Sequence, residues 1–390
     1  MVTVFTPIYN RRYIVGELYE SLKRQSSKNF EWIIVDDGST DDFQSDVSKW
    51  LLEGNAFPIY YRYVSNGGKH RAINIGVQMA HSDAFFVVDS DDFISSDAIE
   101  FIDTHFEEIK NDDSFAGISG LRNSLTDNSV IGGEPCFSGY VDATNLERGR
   151  YGLLRDKAEV YKTSVLKRFP FPEFENENFL TEGIVWNQIA YEGLKIRWYN
   201  KTLYYCEYIR DGLTKNGLEL YKKNPIGWAK SLIMERKYKY WDENTLFNNV
   251  YRYYEALHKE MPKDEMCKQL EISSDEYDML FNKWQQNISE ISNIFLKNQI
   301  SSAALYGMGN NGKRILLYLN ELQIDVKYVI DRNFSEVNFE PVYNLEMDLP
   351  TVESVCVTLK KSSLEIIQDI RRKLPKTLIW TLQDISTGVW

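Results

Sequence analysis

Four short polar clusters hold most of the residues in this chain that could do chemistry. They are Thr6-Pro7 with Tyr9-Asn10; Asp36-Asp37-Gly38-Ser39-Thr40-Asp41; Asn66-Gly67-Gly68-Lys69-His70-Arg71-Ala72 with Asn74 and Gly76; and Asp89-Ser90-Asp91-Asp92. Taken singly each is ordinary: D-D-G-S reads as a turn and helix cap, and D-x-D-D as a capping cluster. Together they ask for a common cause. Acidic groups gathered in one place repel unless a cation lies among them. Carboxylates that share a site with phosphate oxygens suit Mg²⁺ or Mn²⁺, hard ions that prefer oxygen. Such an ion offsets the charge of a departing diphosphate. Gly67-Gly68 permits close backbone approach to a ligand, and Lys69 offers a point charge for phosphate.

The clusters need a frame that brings them to one edge, and the hydrophobic pattern supplies it. Strands are predicted at 2–6, 31–36, 59–64 and 84–89, the second apolar enough to be buried on both faces. Between them lie helices. Asn10 reads as the N-cap of one that carries Ile14, Leu18 and Leu22 on a single face. A second places Phe43, Val47 and Leu51 at helical spacing, a third runs over 69–80, and a fourth turns Ala98, Ile102 and Ile109 inward. This β-α order predicts a largely parallel sheet covered by helices, with ligands beyond the carboxyl ends of the strands. All four clusters fall at those ends.

Downstream, 115–215 reads as mixed short strands and loops, and 218–296 as helices rich in Tyr, Trp, Lys and Glu. Amphipathic stretches there centre on Trp228, Leu232 and Glu235 and on Val250, Tyr254 and Leu257. A last unit begins near Ser301. A strand over 303–306 leads through Gly307-x-Gly309-x-x-Gly312 into a helix over 313–322, and the next strand, 326–330, ends in Asp331. That is the context of a dinucleotide-binding fingerprint, in about half the length such a fold needs. The expected domains are therefore 1–215, a helical accessory segment 216–298, and a small α/β domain 299–390.

In combination and in order, T-P-x-Y-N, V-D-D-G-S-T-D-D, N-x-G-x-x-x-A-x-N-x-G and D-S-D-D resemble glycosyltransferase family 2, the inverting nucleotide-diphospho-sugar transferases of GT-A fold. The resemblance covers about the first 215 residues, and the C-terminal domain resembles Rossmann-like modules appended to bacterial polysaccharide-building transferases. Carried over residue by residue, it implies that Thr6, Pro7, Tyr9, Asp36, Asp37, Asn66, Gly68, Lys69, Asp89 and Ser90 surround a UDP-sugar. Thr6 and Asp36 would meet the nucleobase, Asp89 the ribose, and Asp91 the Mn²⁺ or Mg²⁺ that bridges the diphosphate. Asp37, Asp41 and Asp92 would serve as caps that shape the loops. The family also uses a carboxylate further on as general base, commonly in a Glu-Asp pair opening a helix. Here Thr181 reads as an N-cap and Glu182 as the first-turn acid, with Gly183 where the second acid usually stands; Glu182 is the candidate base. The stretch 208–214, with Arg210, resembles the family's loop over the donor.

The implied activity is that of a metal-dependent hexosyltransferase acting on a glycan, lipid-linked or protein-linked hydroxyl in bacterial surface polysaccharide or glycoconjugate biosynthesis. The alternative is a catalytically impaired sugar-nucleotide-binding or assembly protein of the same fold. A nucleotidyltransferase would need a basic, Gly-rich loop after the first strand, where T-P-I-Y-N stands. An NAD-dependent oxidoreductase would need an acid-base set beside the C-terminal glycines. With 390 residues and a net charge of -12, the chain is unsuited to gripping nucleic acid. Cys136, Cys206, Cys267 and Cys356 form no C-x-x-C pair and read as buried thiols of a reducing compartment. No apolar run approaches the ~20 residues of a membrane span. The expected location is the cytoplasm, including the inner face of the membrane, and the appended domain suits self-association into a homo-oligomer.

Overall fold

The computed structural model describes residues 1–206, 217–332, 337, 339–359 and 364–385. They form two compact units, Met1–Leu257 and His258–Trp390. The helical stretch 216–298, expected as a segment of its own, is divided between them.

In the first unit the strands are β1 (Val2–Ile8), β2 (Phe30–Asp36), β3 (Ile59–Tyr63), β4 (Ala84–Val87), β5 (Phe93–Ile94), β6 (Phe115–Ser124), β7 (Tyr140–Ala143), β8 (Ala158–Lys162) and β9 (Lys195–Cys206). The helices are α1 (Val15–Lys23), α2 (Phe43–Leu52), α3 (Lys69–Met79), α4 (Ala98–Phe106), α5 (Thr163–Arg168), α6 (Gly183–Tyr191), α7 (Gly217–Lys222), α8 (Pro225–Tyr238) and α9 (Glu243–Leu257). The sheet runs β3-β2-β1-β4-β8-β6-β9-β5, with β7 beside β9. Its first four strands are parallel, as the β-α order predicts. β8 then enters antiparallel between β4 and β6.

Strand parity sends alternate side chains to two separate cores. Val4, Trp32, Ile34 and Phe86 pack on the face covered by α1, α2 and α4. Phe5, Ile33, Val35 and Phe85 pack on the face covered by α3 and α6. The register pairs Ile8 with Asp36, so β1 and β2 end together, and β4 ends with Val87 opposite Phe5, its next residue Val88 donating to the Phe5 carbonyl. The acidic clusters are thus delivered to one edge by backbone pairing alone.

Two helices differ from expectation. Asn10 does not cap α1, which starts after Ile14; Asn10 sits at φ +52 and its Oδ1 accepts from the Thr40 N–H at 2.7 Å. In α2 the buried residues are Phe43, Val47 and Trp50, while Leu51 is exposed, because the indole continues the inward stripe one position earlier. Among the thiols only Cys356 is buried; Cys136 is exposed and all four are free.

The second unit holds α10 (Lys263–Leu270), α11 (Ser274–Asn298), α12 (Asn310–Glu321) and α13 (Leu364–Lys373) around a parallel sheet. Its strands are β10 (Ser302–Tyr306), β11 (Asp325–Ile330), β12 (Val342–Tyr343), β13 (Ser354–Val357) and β14 (Leu378–Thr381), in the order β12-β11-β10-β13-β14. This is the Rossmann-like arrangement expected of 299–390. Gly312 lets α12 lie on the preceding turn, since a Cβ there would meet the Gly307 carbonyl oxygen at 2.1 Å. Asp331 accepts from the Met308 N–H of that turn at 2.7 Å. No described helix is long and apolar enough to cross a membrane.

Candidate active site

The β2 edge is built around Asp36 and Asp37, whose side chains go opposite ways. Asp36 Oδ1 accepts from the Ser39 N–H and Oδ2 from the Tyr61 hydroxyl, each at 2.8 Å. It lines a cavity of about 250 Å³ with Ser39, Thr40, Tyr61 and Tyr63. A cavity of similar size, about 240 Å³, opens at the other end of the sheet beside His81, Asp83 and Lys110, away from the acidic clusters. Asp37 is buried and committed to the loop. Its two oxygens accept from the N–H groups of Gly67 (2.7 Å) and Gly68 (2.8 Å), and Asn66 Nδ2 donates to its carbonyl at 2.9 Å. Burial raises the Asp37 pKa and the two amides partly offset it. Asp37 therefore shapes the loop, and at 4% exposure it presents little surface to a donor.

Thr6 needs a correction of the same kind. Its side chain has no exposed surface and its Oγ1 accepts from Trp32 Nε1 at 3.0 Å. Parity puts it on the core face with Val4, so it cannot touch a nucleobase directly. Pro7 and Tyr9, further along, reach the surface.

The β4 edge contains a lysine set between two carboxylates. Lys69 Nζ lies 2.5 Å from Asp89 Oδ1 and 2.6 Å from Glu182 Oε1. Burial favours a neutral lysine, but the Asp89 and Glu182 carboxylates outweigh it and hold the ammonium above its ordinary pKa. Burial likewise raises Asp89, yet Lys69 and Arg122 bring it below the usual carboxylate value. Arg122 Nη1 stands 3.8 Å from Asp89 and its guanidinium lies over the Tyr204 ring. The Tyr204 hydroxyl accepts from the Asp89 N–H at 2.9 Å and donates to Asp92 Oδ2 at 2.7 Å. Asp92, buried and beside Asp89, is pushed up to about 8. Ser90 is buried between these acids.

Asp91 is partly exposed, and burial followed by the Asp89 charge raises its pKa. A cation between Asp89 and Asp91 would relieve that repulsion. Among the described residues no group of three or more His, Cys, Asp or Glu could enclose an ion unaided. An ion held by the Asp89 and Asp91 carboxylates would need further oxygens to complete its shell, as Mg²⁺ or Mn²⁺ takes them from substrate phosphates.

Glu182 stands at the N-cap position of α6, where Thr181 was expected, but its carboxylate caps no amide of that helix and goes to Lys69. A Cβ on Gly183 would meet nothing nearer than Thr181 Oγ1 at 3.7 Å, so packing leaves room for an acid that the sequence does not supply. Gly68, at φ +95, does make a close backbone approach, though to protein: a Cβ there would lie 1.9 Å from the Asn178 carbonyl oxygen. The structure thus gathers Lys69, Asp89, Asp91 and Glu182 at one point and Asp36 with Tyr61 and Tyr63 at another. Arg210 lies outside the described residues. Tyr61, Arg122 and Tyr204 belong to no motif; the single signal for Arg122 is that it is the one charged residue of β6.

An open sheet with acids beyond the ends of its parallel strands is the GT-A, nucleotide-diphospho-sugar transferase architecture. Residues 3–127 match the model of the family described as Glycosyl transferase family 2. Glycosyltransferase GlyG of Streptococcus pneumoniae serotype 4 is 29% identical over 123 residues, 32% of this chain and 40% of that protein. Poly(ribitol-phosphate) beta-N-acetylglucosaminyltransferase TarS of Staphylococcus aureus is 32% identical over 113 residues, 27% of this chain and 20% of that protein. The matched stretches span 40% or less of the length of these relatives. A crystal structure of S. aureus TarS 1-349 in complex with UDP-GlcNAc superposes with a TM-score of 0.47 at 18% identity, covering 73% of this chain and 92% of that one.

Proposed function

We propose that the chain is an inverting, metal-dependent glycosyltransferase that moves a sugar from a UDP-sugar to a hydroxyl acceptor in the assembly of a bacterial surface polysaccharide or glycoconjugate. The observation that carries this reading is the Lys69 bridge, which joins the acid at the end of β4 to the acid at the start of α6. In this reading the uracil lies against Asp36 and the tyrosines of its cavity, and the ribose and diphosphate extend toward Asp89 and Lys69. Glu182 takes the proton of the acceptor hydroxyl as that oxygen attacks the anomeric carbon. The new C–O bond forms as the bond from the anomeric carbon to UDP breaks, and a single displacement inverts the centre. A divalent cation held by Asp91 beside Asp89 would supply charge that stabilises the departing diphosphate. An incoming diphosphate competes for the Lys69 ammonium, which leaves the Glu182 carboxylate to the acceptor. Two similar proteins are named for transfer to poly(ribitol-phosphate), in support of a polymer-borne hydroxyl as acceptor.

The test is calorimetric titration of UDP with and without Mn²⁺, followed by a panel of UDP-sugars assayed for hydrolysis and transfer. UDP binding that requires Mn²⁺ and is lost in a folded Asp91→Ala protein supports the reading. Absence of UDP binding under both conditions removes the donor assignment, and UDP binding with no turnover of any UDP-sugar favours the impaired, binding-only alternative.

A further inference from the structure

Glu182 reaches the site on a segment, residues 171–182, that belongs to no helix or strand. Its geometry must come from elsewhere. On one side it lies along α3. Asn74 exchanges two bonds with Phe171, donating to its carbonyl and accepting from its N–H at 2.9 Å each, and Arg71 donates to the Phe174 carbonyl. The other side is held by α8 in an unusual way. Asn224 stands at the N-cap of α8, where an asparagine oxygen ordinarily accepts from the first free amides of its own helix. It makes no such bond. Its Oδ1 instead accepts from the N–H groups of Asn178 (2.8 Å) and Phe179 (3.0 Å), and its Nδ2 donates to the Leu220 carbonyl at 2.7 Å. The amides it leaves, Ile226 and Gly227, donate to Glu177 at 2.6 and 2.7 Å. The two segments have exchanged caps. Asn224 is 1% exposed and Glu177 5%, so water cannot replace these bonds cheaply. Gly227 allows the approach, since a Cβ there would stand 3.1 Å from Glu177 Oε2.

We propose that Asn224 and Glu177 are positioning residues for the general base: the reciprocal clamp between 177–179 and the first turn of α8 fixes where the Glu182 carboxylate sits. Glu182 follows Phe179 by three residues, so loosening this anchor moves the carboxylate directly. The donor residues Asp36, Asp89 and Asp91 lie on other elements and stay in place. The proposal rests on Glu182 acting as the base.

The experiment measures amide hydrogen exchange, UDP affinity in Mn²⁺, and kcat and KM for transfer in Asn224→Ala, Glu177→Ala and the milder, isosteric Glu177→Gln. Expected are exchange in 171–182 at least about 10-fold faster than wild type, with 30–41 unchanged, and UDP affinity within about twofold. In the alanine variants kcat should fall about 10- to 100-fold, because a displacement near 1 Å suffices for that loss, and Glu177→Gln should lie between them and wild type. Unchanged exchange overturns the clamp. Faster exchange with unchanged kcat overturns its link to the base, and parallel loss of UDP affinity and kcat reduces it to general stability. A wild-type protein that transfers no sugar, or a Glu182→Gln variant as active as wild type, condemns the functional reading instead, while the exchange arm still decides whether the clamp holds the segment.

Discussion

At the scale of single residues, the Lys69 ammonium lies 2.6 Å from the Glu182 carboxylate, and in the proposed reading it holds that base until the donor arrives. Glu182→Gln should lower kcat by about 10²–10⁴-fold, the usual worth of a positioned base, with UDP affinity kept. Steady-state kinetics beside calorimetry would show it, and equal loss of both would point to a binding role. His70 makes a separate prediction. It is buried, its Nδ1 has no hydrogen-bond partner among the described residues, and burial followed by the Arg71 charge lowers its pKa to about 4. The unfolded chain, titrating near 6.5, binds the proton first, so stability falls as pH drops from about 6.5 toward 4 and is unaffected above that window. At pH 5 the cost is about 2 kcal/mol. Urea unfolding of wild type and His70→Gln at pH 7.5 and pH 5 should show a smaller acid loss in the variant; equal losses would mean that His70 is not buried neutral.

At the scale of elements, the third polar cluster acts chiefly as a dock. Asn66, Gly68, Arg71 and Asn74 all contact 171–178, the segment that brings Glu182 to the site. Gly68 is the tightest point, because its φ of +95 and its distance to the Asn178 carbonyl both exclude a side chain. Gly68→Ala should destabilise the protein by more than about 1 kcal/mol, the backbone contribution alone being of that size, and should lower kcat as the segment is pushed away. Thermal unfolding together with transfer kinetics tests this, and a variant with wild-type stability would show that the loop and the segment are not packed as described.

On the scale of the whole molecule, the two units have separate cores, and every residue assigned to donor and base lies in the first. Residues 1–257 expressed alone should therefore unfold cooperatively and bind UDP in Mn²⁺ within about twofold of the full chain. A truncated protein that folds but has lost UDP binding would show that the Rossmann-like unit contributes to the donor site.

Much of this was written locally in the chain. The alternation of apolar runs with helical stripes gave the parallel half of the sheet, and acids placed just after strands gave the edge that carries the candidate site, because strand and helix periods are properties of neighbouring residues. Other features required the fold. Whether Thr6 or its neighbours face the ligand depends on which side α1, α2 and α4 cover. Why Asp36 opens into a cavity while Asp37 is consumed by Gly67 and Gly68 depends on where the third cluster returns. Tyr61 reaches Asp36 through the β2–β3 register, Arg122 and Tyr204 reach Asp89 and Asp92 from β6 and β9, and Asn224 reaches the Glu182 segment from α8. These pairings join residues between 25 and 115 positions apart. The sequence by itself determined which groups could do the chemistry and on which edge; only the tertiary structure decided which of them face one another, since that follows from strand order and packing and not from spacing along the chain.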